Sequence, residues 1–192
     1  MKTIFVTGGA KRIGKAIIEL FAQDNWRVII HYNKSASEAE SLAERINANN
    51  KDTAFVVTGD LDNTEDVQAI ISSVNRISET IDLLVNNASA FYPTPIEEIS
   101  NVHWEKLIGS NLKGPLFLIQ GFKEKLQASK GSIINITDTN LTKGVANYSI
   151  YSAAKAGLES ITKGLAKELA PEIKVNAIAP GAMLEPPDVT WT

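Results

Sequence analysis

The sequence predicts an α/β protein in which a doubly wound, Rossmann-like parallel sheet forms the middle of three layers. Short apolar runs alternate with longer segments of helical periodicity, the order expected of βαβ units. Most of the apolar runs are continuous rather than alternating, as is typical of strands covered by helices on both faces. Because crossovers between parallel strands are right-handed, this order also predicts how the chain winds.

Six apolar runs are predicted to be strands, and five segments between them are predicted to be helices. The strands are Thr3–Thr7, Arg27–Tyr32, Thr53–Thr58, Ile81–Asn86, Ser132–Thr137 and Lys174–Ala179. The helices are Ile13–Gln23, Ser37–Asn49, Glu65–Glu79, Val102–Gln127 (broken near Gly109–Gly114) and Tyr148–Ala170. Ser35 and Glu38 have the spacing of a capping box before the second helix. From Pro180-Gly181 to Thr192 no further helix or strand is predicted.

Composition restricts the class of protein. The 192 residues fit a single domain over 1–192, and a formal net charge of -3 gives no reason to expect nucleic acid or an anionic membrane as a partner. The chain has no cysteine, so disulfides and thiolate chemistry are excluded, and no metal site is predicted. No apolar run approaches the ~20 residues of a membrane span, and the N-terminal run is too short for a signal peptide. A cytoplasmic protein is expected.

A glycine-containing loop between the first strand and the first helix predicts a dinucleotide site. It reads Thr7-Gly8-Gly9-Ala10-Lys11-Arg12-Ile13-Gly14. Gly8 permits a tight turn, Gly14 permits close packing of helix and strand, and the helix N-terminus attracts phosphate. The overlapping run from Gly9 to Ala16 nearly matches a nucleotide-triphosphate P-loop. Ala16 replaces the hydroxyl that binds Mg²⁺ there, so this alternative, which needs ATP and Mg²⁺, is disfavoured.

The end of the second strand predicts NADP rather than NAD as the cofactor. NAD enzymes usually place an acidic residue there to bind the ribose 2′-hydroxyl. The segment His31-Tyr32-Asn33-Lys34-Ser35 has no carboxylate. Lys11, Arg12, Lys34 and Ser35 are candidates for contacts with a 2′-phosphate.

A tyrosine and a lysine four residues apart form the leading catalytic candidate. Tyr151 and Lys155 lie at the start of a predicted helix, where residues i and i+4 share one face. The ammonium is expected to lower the phenol pKa and so allow proton exchange near neutral pH. Tyr148 is predicted to lie on the same face, either lining the pocket or packing.

These segments together resemble the short-chain dehydrogenase/reductase family across essentially the whole chain. The resemblance rests on the loop at Thr7–Gly14, Asn86-Asn87-Ala88, Asp60-Leu61, Asn111, Tyr151 with Lys155, and Pro180-Gly181. It implies that Tyr151 is the acid, that Lys155 binds the nicotinamide ribose, and that Asn111 completes a proton relay. The cofactor-binding residues that it implies are Gly8, Lys11, Arg12, Ile13, Gly14, His31, Tyr32, Asn33, Lys34, Ser35, Asp60, Leu61, Asn87, Ala88, Ser89, Tyr151, Lys155, Pro180 and Gly181.

Two departures from the family pattern resemble its pteridine reductases. Arg12 replaces the middle glycine of the loop, and Asp138 aligns with the usual catalytic serine. The resemblance implies an NADPH-dependent reductase of a dihydrobiopterin, dihydromonapterin or dihydrofolate, in which Phe91 stacks on the pterin and Asp138 assists protonation. The catalytic residues are then Asp138, Tyr151, Lys155 and Asn111, and the substrate residues are Arg12, Phe91, Asp138, Tyr148 and Tyr151.

The C-terminal end also departs from the pattern. Members of the family normally continue through a substrate-covering loop, a helix and a strand, so this chain is expected to lack that final helix and strand and to be truncated. The resemblance implies a homotetramer. Two alternatives stay open: a short-chain carbonyl or hydroxyl oxidoreductase of other specificity, and a non-catalytic dinucleotide-binding protein. Turnover after cofactor binding separates the last from the other two.

Overall fold

A computed structural model describes residues 1–181 and confirms the predicted α/β fold. The strands are β1 (Thr3–Val6), β2 (Arg27–Tyr32), β3 (Ala54–Thr58), β4 (Leu83–Asn86), β5 (Ser132–Ile136) and β6 (Lys174–Ile178). The helices are α1 (Arg12–Gln23), α2 (Ala36–Asn49), α3 (Thr64–Ile77), α4 (Asn101–Ile108), α5 (Gly114–Ala128) and α6 (Ser149–Glu168). Short 3₁₀ helices at Ile96–Glu98 and Thr139–Thr142 were not predicted.

All six strands are parallel, in the order β3-β2-β1-β4-β5-β6. The chain winds outward from β1 to β3, then returns to the other side of β1 with β4. Parallel sheets form a crevice where the strand order reverses, at the carboxyl ends of the strands. The crevice between β1 and β4 therefore positions the site.

Helices cover both faces of the sheet and produce two cores. Ile4 and Val6 of β1 pack with Ile18 of α1 on one face. Phe5, between them, points to the other face and meets Phe122 of α5 edge to face, with ring centroids 5.5 Å apart. This alternation explains the continuous apolar run, because each face of the strand needs its own apolar side chains.

The predicted break in the long fourth helix is a π-helical turn at Gly109–Lys113 between α4 and α5. A side chain at Gly109 would lie 2.5 Å from Asp62 Cβ, and one at Gly114 would lie 2.6 Å from the Leu61 carbonyl oxygen. Glycine therefore lets the helix touch the loop after β3. The turn also carries Asn111 into the interior.

The capping box predicted before α2 is wrong. Ser35 is the residue before the helix, but its side chain makes no capping hydrogen bond. Glu38 instead forms an ion pair with Lys11, 2.7 Å between Oε1 and Nζ. Tertiary contact with the phosphate loop has replaced the local capping interaction.

No helix among residues 1–181 has both the length and the apolar character needed to cross a membrane. The predicted absence of structure after Gly181 concerns residues 182–192, which lie outside the described residues.

Candidate active site

A cleft of about 470 Å³ opens at the carboxyl ends of β1, β2 and β4. It gathers most of the residues predicted from the phosphate loop, the end of β2 and the segment after β4. The lining residues are Gly8, Ala10, Lys11, Arg12, Ile13, Gly14, His31, Tyr32, Asn33, Lys34, Ser35, Asn87, Ala88 and Ser89. Three chain segments thus converge on one cleft, and Ala10 is the one lining residue that was not among the predicted candidates.

The phosphate loop is built around two glycines. Gly8 has a φ of +62°, the left-handed region that glycine enters without steric cost. A Cβ on Gly14 would lie 2.1 Å from the Gly8 carbonyl oxygen. The Asn87 side chain donates to the carbonyl oxygens of Thr7 and Gly8 at 2.9 and 3.2 Å and closes the loop from the other side. Lys11, the residue before α1, makes no side-chain capping hydrogen bond, and the positive end of the helix dipole at this N-terminus favours an anion.

Arg12 is a residue of the same loop that has a positive φ without being glycine. Its φ is +50°, so an arginine occupies a left-handed conformation where the resembling family has glycine. That conformation costs a residue with a Cβ roughly 1–2 kcal/mol. Its side chain lines the cleft. The backbone cost fits a functional use of the guanidinium at this position.

His31 is buried at the end of β2 and joins two loops. Its Nδ1 accepts from the Gly8 amide at 3.1 Å, and its Nε2 lies 3.0 Å from the Gly59 carbonyl oxygen. Because an amide only donates and a carbonyl only accepts, the proton must be on Nε2. Burial lowers the pKa of His31 to about 4, against the opposing effects of the Gly59 bond and of Asp60. Neutral His31 thus supports the phosphate loop from below.

Six predicted cofactor residues lie apart from the cleft lining: Tyr151 and Lys155, which are described below, and Asp60, Leu61, Pro180 and Gly181. The Asp60 side chain binds Lys106 at 3.0 Å, and Leu61 is buried in the core. The Pro180 carbonyl oxygen accepts from Thr139 Oγ1 at 3.3 Å, and Gly181 is exposed. Asp60 is connected to the cleft through a hydrogen bond with the Asn33 side chain.

Tyr151 and Asp138 form a direct pair. Tyr151 lies in the first turn of α6 and Asp138 follows β5, and Tyr151 Oη donates to Asp138 Oδ2 at 2.8 Å. Asp138 Oδ1 accepts from the Asn140 amide at 2.7 Å, which fixes the carboxylate. Burial raises the pKa of Tyr151, and the bond to Asp138 raises it further. The expectation of a lowered pKa is therefore wrong.

Lys155 explains that error. Its ammonium is buried, and it donates to the Ile136 carbonyl oxygen at 2.8 Å. It lies over the face of the Tyr151 ring, 5.9 Å from the centroid, and it is not among the groups that shift the Tyr151 pKa. Burial lowers the pKa of Lys155 to about 8, although Asp138 opposes this. Tyr151 is therefore protonated at neutral pH, which suits a proton donor.

Ser89 connects Tyr151 with Asn111. Ser89 Oγ donates to Asn111 Oδ1 at 2.7 Å, and it can instead donate to the ionised Tyr151 oxygen, which opposes the rise in the Tyr151 pKa. The Asn111 amide donates to the carbonyl oxygens of Ala90 and Leu107, both at 2.9 Å, which holds its side chain in place. The result is a hydrogen-bonded chain from Asn111 to Asp138. Since Ser89 also lines the cleft, it is the junction between cleft and phenol.

An aromatic cluster flanks the phenol. Phe91 stacks on Tyr148 with ring centroids 4.6 Å apart and meets Tyr151 edge to face at 4.8 Å. The spacing of Phe91 and Tyr148 leaves no room for a third ring between them. Phe91 is nevertheless 59% exposed, so its other face is open to a flat ligand.

Comparison with known families assigns this arrangement. The family model described as short chain dehydrogenase matches residues 2–189. The chain belongs to the short-chain dehydrogenase family. It is therefore an oxidoreductase of a family that binds nicotinamide dinucleotides and acts on small molecules.

Relatives of this short-chain dehydrogenase include proteins with two different names. Pteridine reductase 1 of Leishmania tarentolae is 32% identical over 226 aligned residues, covering 97% of this chain and 78% of that protein. The 3-oxoacyl-(acyl-carrier-protein) reductases FabG of Staphylococcus aureus strains MW2 and N315 are each 33% identical over 182 residues, covering 94% of this chain and 74% of theirs. Similarity alone does not separate the two substrate classes.

The cleft of this short-chain dehydrogenase fits a dinucleotide. Gly14 keeps the loop clear of a Cβ that would collide with Gly8, and the N-terminus of α1 favours a phosphate through its dipole. Lys11, Arg12 and Lys34 bring positive charge to the same cleft. These residues would hold the diphosphate and ribose, and a bound dinucleotide would supply hydride beside Tyr151.

Sequence reasoning missed two residues that hold the site together. Thr7 Oγ1 accepts from the amides of Asn87 and Ala88 at 2.9 and 3.0 Å and so fastens β4's loop to β1. Ser110 Oγ accepts from the Ala90 amide at 3.2 Å. A buried hydroxyl at the end of an apolar strand was the available signal for Thr7. Nothing local distinguished Ser110.

Acid should destabilise this protein through His31. Its pKa is 6.5 in a model peptide and about 4 here, so the unfolded chain binds the proton first as pH falls. The stabilisation is complete above about pH 6.5 and is lost toward pH 4, amounting to about 3 kcal/mol. Urea denaturation of the wild type and of His31→Gln at pH 7.0 and 4.5 measures it.

The chain has one other histidine, and that residue supplies the control. His103→Gln leaves His31 in place and should retain the acid-side loss, whereas His31→Gln should reduce it strongly. An equal pH dependence in all three proteins would contradict the role of His31. Nitrogen NMR of the wild type should also show the Nε2–H tautomer at neutral pH.

Proposed function

We propose that this short-chain dehydrogenase uses NADPH to reduce a pterin. The observation that carries the proposal is the hydrogen bond from Tyr151 to Asp138, beside the exposed ring of Phe91. A pterin is a flat heteroaromatic ring with nitrogens that must be protonated. The site offers a proton-bearing pair and an aromatic wall at adjacent positions, which is the chemistry such a ring requires.

The proposed reaction reduces a carbon–nitrogen double bond of a dihydropterin. The carbon gains a hydride from bound NADPH, and the nitrogen gains a proton. Tyr151 supplies that proton by turning its hydroxyl from Asp138 to the ring nitrogen. Half-buried Asp138 then takes a proton from solvent and returns it to the phenol. While the phenol oxygen is negative, Ser89 turns its single hydroxyl proton from Asn111 Oδ1 to that oxygen.

The preference for NADPH is supported by the charge of the cleft. Residues 31–35, which end β2, include no carboxylate, and Lys34 lines the cleft with Lys11. Lys11 is held by Glu38 at 2.7 Å, so a 2′-phosphate would have to attract it from this partner. A doubly charged phosphate is a stronger partner than one exposed carboxylate.

A second candidate is reduction of a 3-oxoacyl thioester. It is favoured by the FabG relatives, which are 33% identical to this chain, compared with 32% for the pteridine reductase. Such a carbonyl needs one proton on oxygen and no aromatic wall. Under this candidate, Asp138 and Phe91 would have separate explanations unrelated to the substrate.

Oxidation of NADPH, followed by its loss of absorbance, tests the two candidates. The full chain is mixed in turn with 7,8-dihydrobiopterin, dihydromonapterin, dihydrofolate and a 3-oxoacyl thioester, and each assay is repeated with NADH. Turnover of a dihydropterin with NADPH is expected. Brisk reduction of the thioester with no reduction of any pterin would overturn the proposal, and cofactor binding without turnover would indicate a non-catalytic protein.

Two substitutions should separate proton transfer from stacking. Asp138→Ser should lower kcat for the pterin about 10²-fold with little change in NADPH affinity, because the returning proton loses its carrier. Phe91→Ala should mainly raise KM for the pterin, about threefold to tenfold, because stacking is worth about 1 kcal/mol. Steady-state kinetics and NADPH titration of both variants give these values. The opposite split, with Phe91→Ala acting on kcat alone, would contradict the assignment.

A further inference from the structure

Lys106 lies outside the cleft and forms ion pairs with two carboxylates. This group of charges lies next to Asn33, at the end of the cleft where the ribose 2′-position of a dinucleotide is expected. Lys106, on α4, donates from Nζ to Asp62 Oδ2 at 2.8 Å and to Asp60 Oδ2 at 3.0 Å. The side chains of Lys106, Asp60 and Asp62 are 37%, 27% and 21% exposed. They are therefore screened less by solvent than an ordinary surface ion pair.

The group touches the cleft through Asn33. The Asn33 side chain forms a hydrogen bond with the Asp60 carboxylate, and Asn33 also lines the cleft at the end of β2. This is the position where an NAD enzyme usually has its acidic residue. Here a carboxylate lies one hydrogen bond further back, in contact with Lys106.

The charge of this group depends on Lys106. Burial raises the pKa of Asp60, but hydrogen bonds from Lys106, Asn33 and Asp62 outweigh it and bring the value to about 2. Asp60 is therefore ionised at neutral pH. Lys113 Nζ donates to the Asp62 backbone carbonyl oxygen at 3.2 Å and adds one positive charge. Asp66 Oδ2 accepts from the Asp60 amide at 2.7 Å and adds a further negative charge, so loss of Lys106 takes the formal charge of these five side chains from −1 to −2.

We propose that Lys106 is a specificity-determining residue for the dinucleotide. By neutralising Asp60 and Asp62 behind Asn33, it keeps the ribose end of the cleft compatible with a 2′-phosphate. Lys106 acts through Asp60 and Asn33 and does not itself line the cleft. The inference rests on the proposed preference for NADPH and names a residue that sets it.

The test compares the dissociation constants of NADPH and NADH for the full chain and for Lys106→Met. The variant should bind NADPH about three- to tenfold more weakly and NADH within about twofold of wild type. A loss of NADPH affinity of this size is expected when one uncompensated negative charge lies roughly a Debye length from the 2′-phosphate. The loss of NADPH affinity should become smaller when salt is raised from about 0.05 to about 0.5 M, because the Debye length then falls about threefold.

Three further variants make the test specific. Adding Asp62→Asn to Lys106→Met restores the net charge and should restore NADPH affinity, which a purely structural role of Lys106 would not do. Lys106→Arg should behave as wild type. Lys163→Met removes an exposed ion pair with Glu159 on α6, 2.6 Å between Nζ and Oε1, and should change neither constant.

Equal weakening of NADPH and NADH in Lys106→Met, without salt dependence, would overturn the inference, because the residue would then only support the loop. No change in either constant would overturn it as well. A wild-type protein that binds NADH as tightly as NADPH would instead overturn the proposed cofactor preference. The two failures are therefore distinguishable in one set of titrations.

Discussion

Tyr151→Phe is expected to lose most turnover while binding the dinucleotide as the wild type does. The change removes only the hydroxyl, and the buried ring keeps its edge-to-face contact with Phe91. Loss of a general acid typically costs ~10²–10⁴-fold in rate. Asp138 loses its bond from Tyr151 but keeps the one from the Asn140 amide. Single-turnover kinetics with saturating NADPH, together with a titration of NADPH, measure the two effects separately.

The matched control is Tyr92→Phe. Tyr92 follows Phe91 in the same loop and packs edge to face on His103, so the same hydroxyl is removed nearby but away from the phenol pair. Its turnover should stay within about twofold of wild type, since general acid catalysis is untouched. Wild-type kinetics in Tyr151→Phe would reassign the acid, with Asp138 and Tyr148 as the next candidates.

The sequence predicted the fold well because the fold depends on patterns that local segments carry. The alternation of apolar runs and amphipathic helices placed every element of the sheet, and Gly109–Gly114 marked the break between α4 and α5. The cleft followed from the same logic, since loops at the carboxyl ends of neighbouring parallel strands must meet. The sequence therefore predicts that the phosphate loop and the end of β2 lie together.

The electrostatics of the site could not be predicted in the same way. The spacing of Tyr151 and Lys155 puts both on one helix face, but it does not say where the ammonium points. Here Ile136 takes the ammonium and Asp138 takes the phenol, so burial and the carboxylate decide the pKa of Tyr151. Both partners come from β5 and the segment after it, so their distance from the phenol depends on tertiary packing and not on local sequence.

Other misses have the same origin. The capping box failed because Glu38 meets Lys11 across a loop, 27 residues away in sequence. Lys106 was overlooked because its partner Asp60 is 46 residues away and nothing in either local sequence marks the contact. Local rules predict what a residue does in its own helix, and tertiary charge pairs override them when the geometry is better.

Gly14→Ala is expected to abolish detectable dinucleotide binding and to lower the free energy of unfolding by about 3 kcal/mol, the upper part of the range for overpacking. The new Cβ would lie 2.1 Å from the Gly8 carbonyl oxygen and 2.7 Å from Asn87 Nδ2. Neither is the end of a flexible side chain that can turn away cheaply. The Gly8 oxygen belongs to the turn itself, and Asn87 is tied to both Thr7 and Gly8.

Gly164→Ala provides the control that isolates this collision. Both glycines lie in helices and both variants gain one methyl group, but a Cβ at Gly164 in α6 meets nothing within 4 Å. Helix propensity alone should therefore stabilise Gly164→Ala by up to about 1 kcal/mol, with wild-type dinucleotide affinity. Thermal unfolding and NADPH titration of the two variants should move in opposite directions. If Gly14→Ala instead bound NADPH normally and unfolded at the wild-type temperature, the loop would have to give way at Gly8, and the close contact of α1 with the turn after β1 would not be what shapes the phosphate site.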